Sequence, residues 1–414
     1  MITHKYISII IFVISFIYPN QLKNIEIKGN RITKDYIILR EIEQPIPGNY
    51  NPEIANEDRN RIYNLNLFSR VDIDTLENMY IIDVSEKFYC FPLPIFSYNE
   101  DVGASYGAVL LNMNFRGRDE TIASGLIKGK SNEYFLYYFN PWLYGNHISF
   151  GFEFEKLSYS HHAYKIIDNI NNLNFFSGFH LSKKNKFKYI LGYSSHQMSH
   201  KMDLLYKYIN ARVKYYYDSR DIYIDPTKGT LLNISLDNRI GLSDTKSILQ
   251  FEFDWNSYFS ITKQYTNPVL AYRFNLYLQA SYDEIPLFFK EYIGGYELVK
   301  GYSSIPNDNN TNYSNLIESD NYLFQSIKIQ NTLFPRQILF SFFGKEMEVG
   351  CDFKLFFDYG IGSLYDDNFR LSNSIFGYGA GTTIYIDGNE VNIDLGFNQD
   401  REYRIHFYGA IDND

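Results

Sequence analysis

The sequence predicts an all-β transmembrane barrel of about 16 antiparallel strands, preceded by a small α+β module. Three observations predict it. Beyond about residue 103, apolar and polar residues alternate with a period of two, as in strands with two unlike faces. Aromatics are 18% of the 414 residues, with 39 Tyr and 34 Phe, yet mean hydropathy is only −0.30, so greasy faces are balanced by wet ones. No segment after the first twenty residues approaches the ~18 uninterrupted apolar residues of a membrane helix, whereas a barrel strand needs only ~9–11.

Composition excludes other classes. Hydrophobic content of 45% with 21% charge is incompatible with a wholly disordered chain. Lys+Arg number 39 against 48 Asp+Glu, a net charge of −9, so the basic footprint of a nucleic-acid binder is missing. The two cysteines, Cys90 and Cys351, allow at most one disulfide and no cysteine-built zinc site.

Residues 1–20 are expected to be a signal peptide: Lys5 precedes an apolar run from Tyr6 to Tyr18 that is too short to span a bilayer. Residues 21–89 read as the α+β module. Ile25 and Ile27 alternate with Glu26 and Lys28. Thr33 is placed to cap a helix through Ile42. Asn51-Pro52-Glu53 starts a second helix, cap followed by proline. Two strands follow, with Val71 and Ile73 on one face of the first and Tyr80, Ile82 and Val84 on one face of the second. Residues 90–102 read as a linker because Pro92 and Pro94 punctuate them.

Residues 103–414 carry the alternation. Ile209, Ala211, Val213, Tyr215 and Tyr217 share one face; so do Val391, Ile393, Leu395 and Phe397, and Tyr403, Ile405 and Phe407. Mid-strand Arg, Lys, Asp and Asn on the opposite faces suit a wet lumen. About 310 residues at ~20 per strand and connection give some 16 strands, too many for side chains to fill the interior. Ile305–Asp320 is expected to be an extracellular loop.

Five stretches carry a more specific signal. Ile25-x-Ile27-x-Gly29-Asn30 opens the module, and Leu65-x-Leu67-Phe68-Ser69-x-Val71 precedes its last strands. Phe115-Arg116-Gly117-Arg118 is followed by Asn140-Pro141-Trp142-Leu143. Asp218-Ser219-Arg220-Asp221 is followed by Pro226-x-Lys228-Gly229-Thr230. Gly294-Gly295 leads into Val299-Lys300-Gly301-Tyr302. Phe356-x-Asp358-x-Gly360 completes the set. Together they resemble the outer-membrane assembly and translocation family typified by BamA, TamA and the bacterial surface antigens, over nearly the whole mature chain. Residues 21–89 resemble a single POTRA domain.

The resemblance implies the following. Val299, Lys300, Gly301 and Tyr302 form a lid loop folded into the barrel, with Lys300 where the family usually has Arg. Phe356, Asp358 and Gly360 form its partner strand. If that face is the lumen, Asp358 meets Lys300, since a buried carboxylate wants an opposite charge. Where family members end in Phe or Trp, this sequence reads Gly409 to Asp414. The implied function is assembly and insertion of outer-membrane barrel proteins, with the POTRA domain in the periplasm. The implied partners are unfolded outer-membrane or secreted proteins, outer-membrane lipid and periplasmic accessory proteins. The alternatives are a two-partner-type secretion pore and a passive porin-like channel; relatives of the secretion type usually carry two POTRA modules and a plug helix.

The seam between first and last strands is the cheapest place to open. Gly103 and Gly107 are expected on its first strand, and Tyr403, Phe407 and Gly409 on its last. Clients would pair there by β-augmentation, and also on the edge strand that ends the POTRA module. Neither metal nor cofactor is expected. His196 and His200 have helical zinc spacing but lie in strand-like sequence, where residues i and i+4 stand ~13 Å apart. Gly377-Tyr378-Gly379-Ala380-Gly381 precedes no helix and reads as a glycine-lined strand. No pattern of catalytic residues points to an enzyme.

Overall fold

A computed structural model describes residues 21–99, 103–129, 131–144, 148–161, 166–199, 203–262, 268–282, 284–303, 317–342, 345–364 and 367–410. Residues 1–20, expected to be a signal peptide, most of Ile305–Asp320, His162, His200 and residues 411–414 lie outside them. The chain divides into two units, the small module and the barrel.

In the module, β1 (Asn24–Lys28), α1 (Asp35–Leu39), α2 (Pro52–Asn64), β2 (Phe68–Leu76) and β3 (Met79–Glu86) follow in order. The sheet order is β1-β3-β2, with β3 parallel to β1 and antiparallel to β2. The last strand is therefore central, and the edges belong to β1 and β2. This corrects the expectation that the module ends in an edge strand. Asn51 caps α2, its Oδ1 accepting the N–H groups of Glu53 and Ile54. Tyr80, Ile82 and Val84 are buried, as are Ile37, Ile38, Ile62 and Tyr63 of the helices. Inside this core Asp58 is fully buried; it accepts the Tyr80 hydroxyl at 3.0 Å and the Glu43 N–H at 2.8 Å and pairs with Arg61.

Thr33 does not cap α1, whose cap position is Lys34. Its N–H and that of Ile32 donate to Glu86 Oε1 at 2.7 and 2.9 Å. Burial pushes the Glu86 carboxyl up most strongly, but the N–H groups of Thr33 and Ile32, the Thr33 side chain and the Lys345 charge together outweigh it and hold it below its ordinary value. A depressed carboxyl stabilises the fold above its unfolded pKa and loses that contribution as pH falls through the folded one. Hydrogen-exchange protection of the Ile32 and Thr33 amides should therefore fall in acid, as pH drops below the ordinary carboxylate range. The Glu86→Gln chain should show no such step. Unchanged protection of the wild-type amides in acid would refute this.

Sixteen strands form one antiparallel sheet. They are β4 (Cys90–Asn99), β5 (Gly103–Phe115), β6 (Glu120–Gly129), β7 (Ser131–Tyr144), β8 (Ile148–His161), β9 (Ile166–Ser182), β10 (Asn185–Ser199) and β11 (Asp203–Asp218). The second half comprises β12 (Gly229–Gly241), β13 (Ile248–Ser260), β14 (Val269–Ser281), β15 (Asn321–Phe342), β16 (Lys345–Ser363), β17 (Ser374–Ile386), β18 (Asn389–Asn398) and β19 (Tyr403–Ala410). Each pairs with its chain neighbours, and β4 and β19 stand at the two ends of the order.

Two expectations are corrected here. Residues 90–99 are the first barrel strand and not a linker. Gly103 and Gly107 lie on the second strand, facing Asn99 and Ile95 on one side, with Gly107 facing Ile127 on the other, so they are not at the seam. The physical reason is that proline cannot donate to a ladder but is tolerated where its missing N–H faces away from a paired strand, so Pro92 and Pro94 are compatible with a strand at the end of the sheet.

Burial is inverted relative to a water-soluble protein. On β16, Lys354, Phe356 and Asp358 are buried while Phe353, Leu355 and Phe357 are exposed. Asp358 is 0% exposed and its neighbour in the other phase, Phe357, 46%. On β18, Asn392 and Asp394 are buried and Ile393 and Leu395 exposed. The polar phase faces the lumen, where ion pairs such as Arg273–Asp254 at 2.9 Å and Lys354–Asp394 at 2.9 Å bridge neighbouring or next-nearest strands. The apolar phase faces outward. In lipid, a barrel satisfies the backbone through its ladders. No described helix is long and apolar enough to cross a membrane.

Candidate functional site

The segment between β14 and β15 folds back onto the inner face of the barrel. Its apolar residues Ile293, Leu298, Val299 and Tyr302 are buried with Tyr322 and Phe324 of β15 and Ile375 of β17. Small residues on the wall make room. A Cβ on Gly360 would stand 2.4 Å from Ile293 Cγ2, and one on Gly377 would stand 1.9 Å from the Lys300 carbonyl oxygen. The sequence puts glycine on the wall where the loop's side chains or backbone come to rest.

The expected ion pair is present. Lys300 Nζ lies 3.0 Å from Asp358 Oδ2, and the Lys300 N–H donates to the same oxygen at 3.3 Å. Ser326 Oγ donates to the other oxygen, Oδ1, at 2.6 Å. Lysine cannot engage both carboxylate oxygens as a planar guanidinium does. Ser326 takes up the second one. The Lys300 ammonium also lies 4.3 Å from the Phe356 ring centroid, a cation–π contact. Phe356, Asp358 and Gly360 thus all face the loop.

The loop also reaches the last hairpin. Gly301, at φ +96°, donates its N–H to His406 Nε2 at 3.0 Å, which requires the neutral imidazole with that nitrogen free. The Tyr302 hydroxyl donates to the Phe376 carbonyl at 3.1 Å and accepts the Gln399 N–H at 3.2 Å. The Tyr296 ring stacks on Tyr408 at 4.9 Å. Sequence reasoning placed Tyr296, Val299, Lys300, Gly301 and Tyr302 in the loop and paired Lys300 with Asp358, but missed Ser326, Gln399, His406 and the stacking of Tyr296 on Tyr408. The signal for His406 and Tyr408 was their phase: they alternate with Ile405 and Phe407 and so face inward.

Other motifs hold turns or wall. Arg220 clasps Asp218 with Nε and Nη2, and Asp221 accepts the Thr227 hydroxyl at 2.6 Å, closing the β11–β12 connection. Asn140 donates to Glu120 at 3.1 Å and accepts the Trp142 N–H at 2.9 Å. His196 bonds Asp168 at 3.0 Å and stacks on Phe288 at 3.9 Å between ring centroids. Tyr403, Phe407 and Gly409 lie on the terminal strand β19, as expected.

The model of the Omp85 superfamily domain matches residues 114–409. The chain belongs to the Omp85 superfamily. A POTRA model, described as a surface antigen variable number repeat, matches residues 21–87. Among solved structures, the chain is similar to BamA from Haemophilus ducreyi lacking POTRA domains 1–3, with 13% identity, TM-score 0.57, and 94% of this chain and 84% of that one covered. It is likewise similar to CdiB from Escherichia coli, with 12% identity, TM-score 0.60, and 95% and 76% covered. CdiB from Acinetobacter baumannii gives 15% identity, TM-score 0.54, and 94% and 73% covered. No curated protein sequence matches. At these identities the structural likeness speaks for the fold. Membership places this Omp85 protein in the outer membrane, in a family that acts on unfolded outer-membrane or secreted proteins by insertion or secretion.

Proposed function

We propose that this Omp85 protein assembles and inserts outer-membrane barrel proteins, engaging them as extended strands at the junction of β4 and β19. The observation that carries this reading is the loop: Lys300–Asp358 seats it on the inner wall, and Tyr296, Gly301 and Tyr302 tie it to the last hairpin. The loop's contacts along the inner wall reach the strand that borders the junction, which favours that junction over the lumen as the route. A strand edge at that junction offers main-chain donors and acceptors to an incoming strand.

In this reading the POTRA module lies in the periplasm and receives clients or docks accessory proteins along β1 or β2. The work is non-covalent, so the protein is not an enzyme. Depletion tests the proposal. General loss of barrel proteins from the outer membrane is the expected result. Loss of one secreted protein with barrels unaffected would replace insertion by dedicated secretion, and altered solute permeability alone would replace it by a passive pore.

A further inference from the structure

The connection between β11 and β12 has a tightly bonded tip. The Ser219 N–H donates to the Thr230 carbonyl at 2.9 Å and the Asp221 N–H to the Lys228 carbonyl at 3.2 Å, so the two-stranded ladder runs on past the strands. Asp221 closes the tip, its Oδ1 accepting the N–H groups of Ile222 and Thr227, each at 3.0 Å. Arg220 donates to the Tyr223 carbonyl at 2.9 Å and lies 4.8 Å from the Tyr223 ring centroid. Connections normally run over the surface, in water. Here Ile224 and Pro226 are buried, and Asp225 between them is partly buried.

The far wall holds Asp225. Its Oδ2 lies 3.3 Å from Arg336 Nε of β15, and its Oδ1 accepts from Gln330 Nε2 of the same strand at 3.1 Å. The Tyr385 hydroxyl of β17 stands 3.4 Å from Oδ1. In the sheet β13 and β14 separate β12 from β15, so the tip reaches past both. At ~4.8 Å per strand, β12 and β17 are roughly 24 Å apart along the wall. Connections in this antiparallel order alternate between the two ends of the barrel. This one lies at the end where β4 begins, and the loop between β14 and β15 enters from the other. The contact is of a kind that can let go. Gln330 Nε2 also donates to Asp352 Oδ2 at 3.2 Å, and the Tyr385 hydroxyl stands 3.3 Å from that oxygen. Two carboxylates thus share the same donors, and their like charges oppose the closure that Arg336 favours.

We infer that residues 219–228 form a strap across the lumen at the end where β4 begins, latched by Asp225 to Arg336, Gln330 and Tyr385, and that its release opens that end to water and solutes. The inference goes beyond the insertion reading and stands on the barrel alone. Asp218, Arg220 and Asp221 build the tip, and Asp225 fastens it. The bonds within the tip keep its shape, so the latch is the part that changes.

The test uses the full-length protein, with heat-modifiable electrophoretic mobility showing that each variant is folded. In detergent micelles, Ile224→Cys in the Cys90→Ser, Cys351→Ser chain should react slowly with a charged, water-soluble thiol reagent. Adding Asp225→Ala should speed that labelling about tenfold, the ratio that ~1.4 kcal/mol of lost contact gives. In planar lipid bilayers, the ion current through Asp225→Ala should rise severalfold over wild type. Both variants are also measured with Asp358→Ala, so that the seated loop does not limit the current. The charge exchange Asp225→Arg with Arg336→Asp should restore slow labelling and low current, which a merely misfolded tip would not do. Labelling and current unchanged in Asp225→Ala overturn the strap. Fast labelling in the exchanged chain overturns the ion-pair latch. Neither readout involves client proteins, so neither failure touches the insertion reading.

Discussion

Replacing Asp358 with alanine should release the loop from the barrel wall. Asp358 is fully buried and answers three groups at once: the Lys300 ammonium, the Lys300 N–H and the Ser326 hydroxyl. Removing the carboxylate strands a cation beside Phe356 with no counter-ion in reach on that strand. Breaking a buried pair by deleting one partner costs about 3–5 kcal/mol. That is roughly a hundredfold to several thousandfold in the seating equilibrium. Lys300→Ala should be costly but milder, because the backbone N–H at 300 and Ser326 still serve the carboxylate. Ser326→Ala should be milder again. Lys300→Arg should keep the loop seated. The measurement is tryptic cleavage at Lys290 in folded, membrane-embedded protein, with heat-modifiable mobility confirming the barrel. A cleavage rate unchanged in Asp358→Ala would show that the pair does not hold the loop. Delivery of client barrels should fall in the same order.

Gly377→Ala should have a comparable effect through shape alone. Gly377 lies opposite Asp358 in the β16–β17 register, and an added Cβ would stand 1.9 Å from the Lys300 carbonyl oxygen and 3.2 Å from Val299 Cγ1. Carbon and carbonyl oxygen settle no closer than ~3.3 Å. The loop backbone must therefore retreat by about 1.4 Å, enough to pull Lys300 out of its bond with Asp358. Overpacking of this kind costs about 1–3 kcal/mol before the lost ion pair is counted. The control is Gly409→Ala on the terminal strand, where the new Cβ would approach the Glu390 carbonyl only to 3.3 Å. Gly377→Ala should be cleaved at Lys290 much faster than wild type, and Gly409→Ala at the wild-type rate. Equal behaviour of the two would mean that the glycine does not shape the seat.

Much of this was legible in the sequence because a strand's period is fixed at two. The phase of Ile393 and Leu395 against Asp394 separates outside from inside without any structure. Phe356-x-Asp358-x-Gly360 puts three residues on one face by the same arithmetic, and the family resemblance, which sets residues 299–302 as a loop against that strand, then points to Lys300 as the opposite charge. What was not legible depended on sequence-distant neighbours. Ser326 reaches Asp358 from a strand 32 residues away, and no local pattern marks it. The Gly301–His406 bond spans 105 residues. The first barrel strand was hidden by Pro92 and Pro94, whose meaning changes at an edge. In the POTRA module, chain order did not reveal that the last strand is central, because that follows from parallel pairing with the first.

The alternation of outward Leu, Ile and Phe with inward Asp, Asn and Lys has a consequence for how this chain travels. A protein destined for the outer membrane must first traverse the inner one without being retained. A bilayer captures helices, and it does so by the summed apolarity of some twenty consecutive residues. Interleaving greasy residues with hydrated ones through most strands dilutes that sum along the chain, whose whole sequence averages −0.30 on the hydropathy index. The grease becomes legible to lipid only after ladder formation sorts it onto one surface. The same pattern that anchors the finished barrel therefore keeps the unfolded polypeptide invisible to the first membrane it meets.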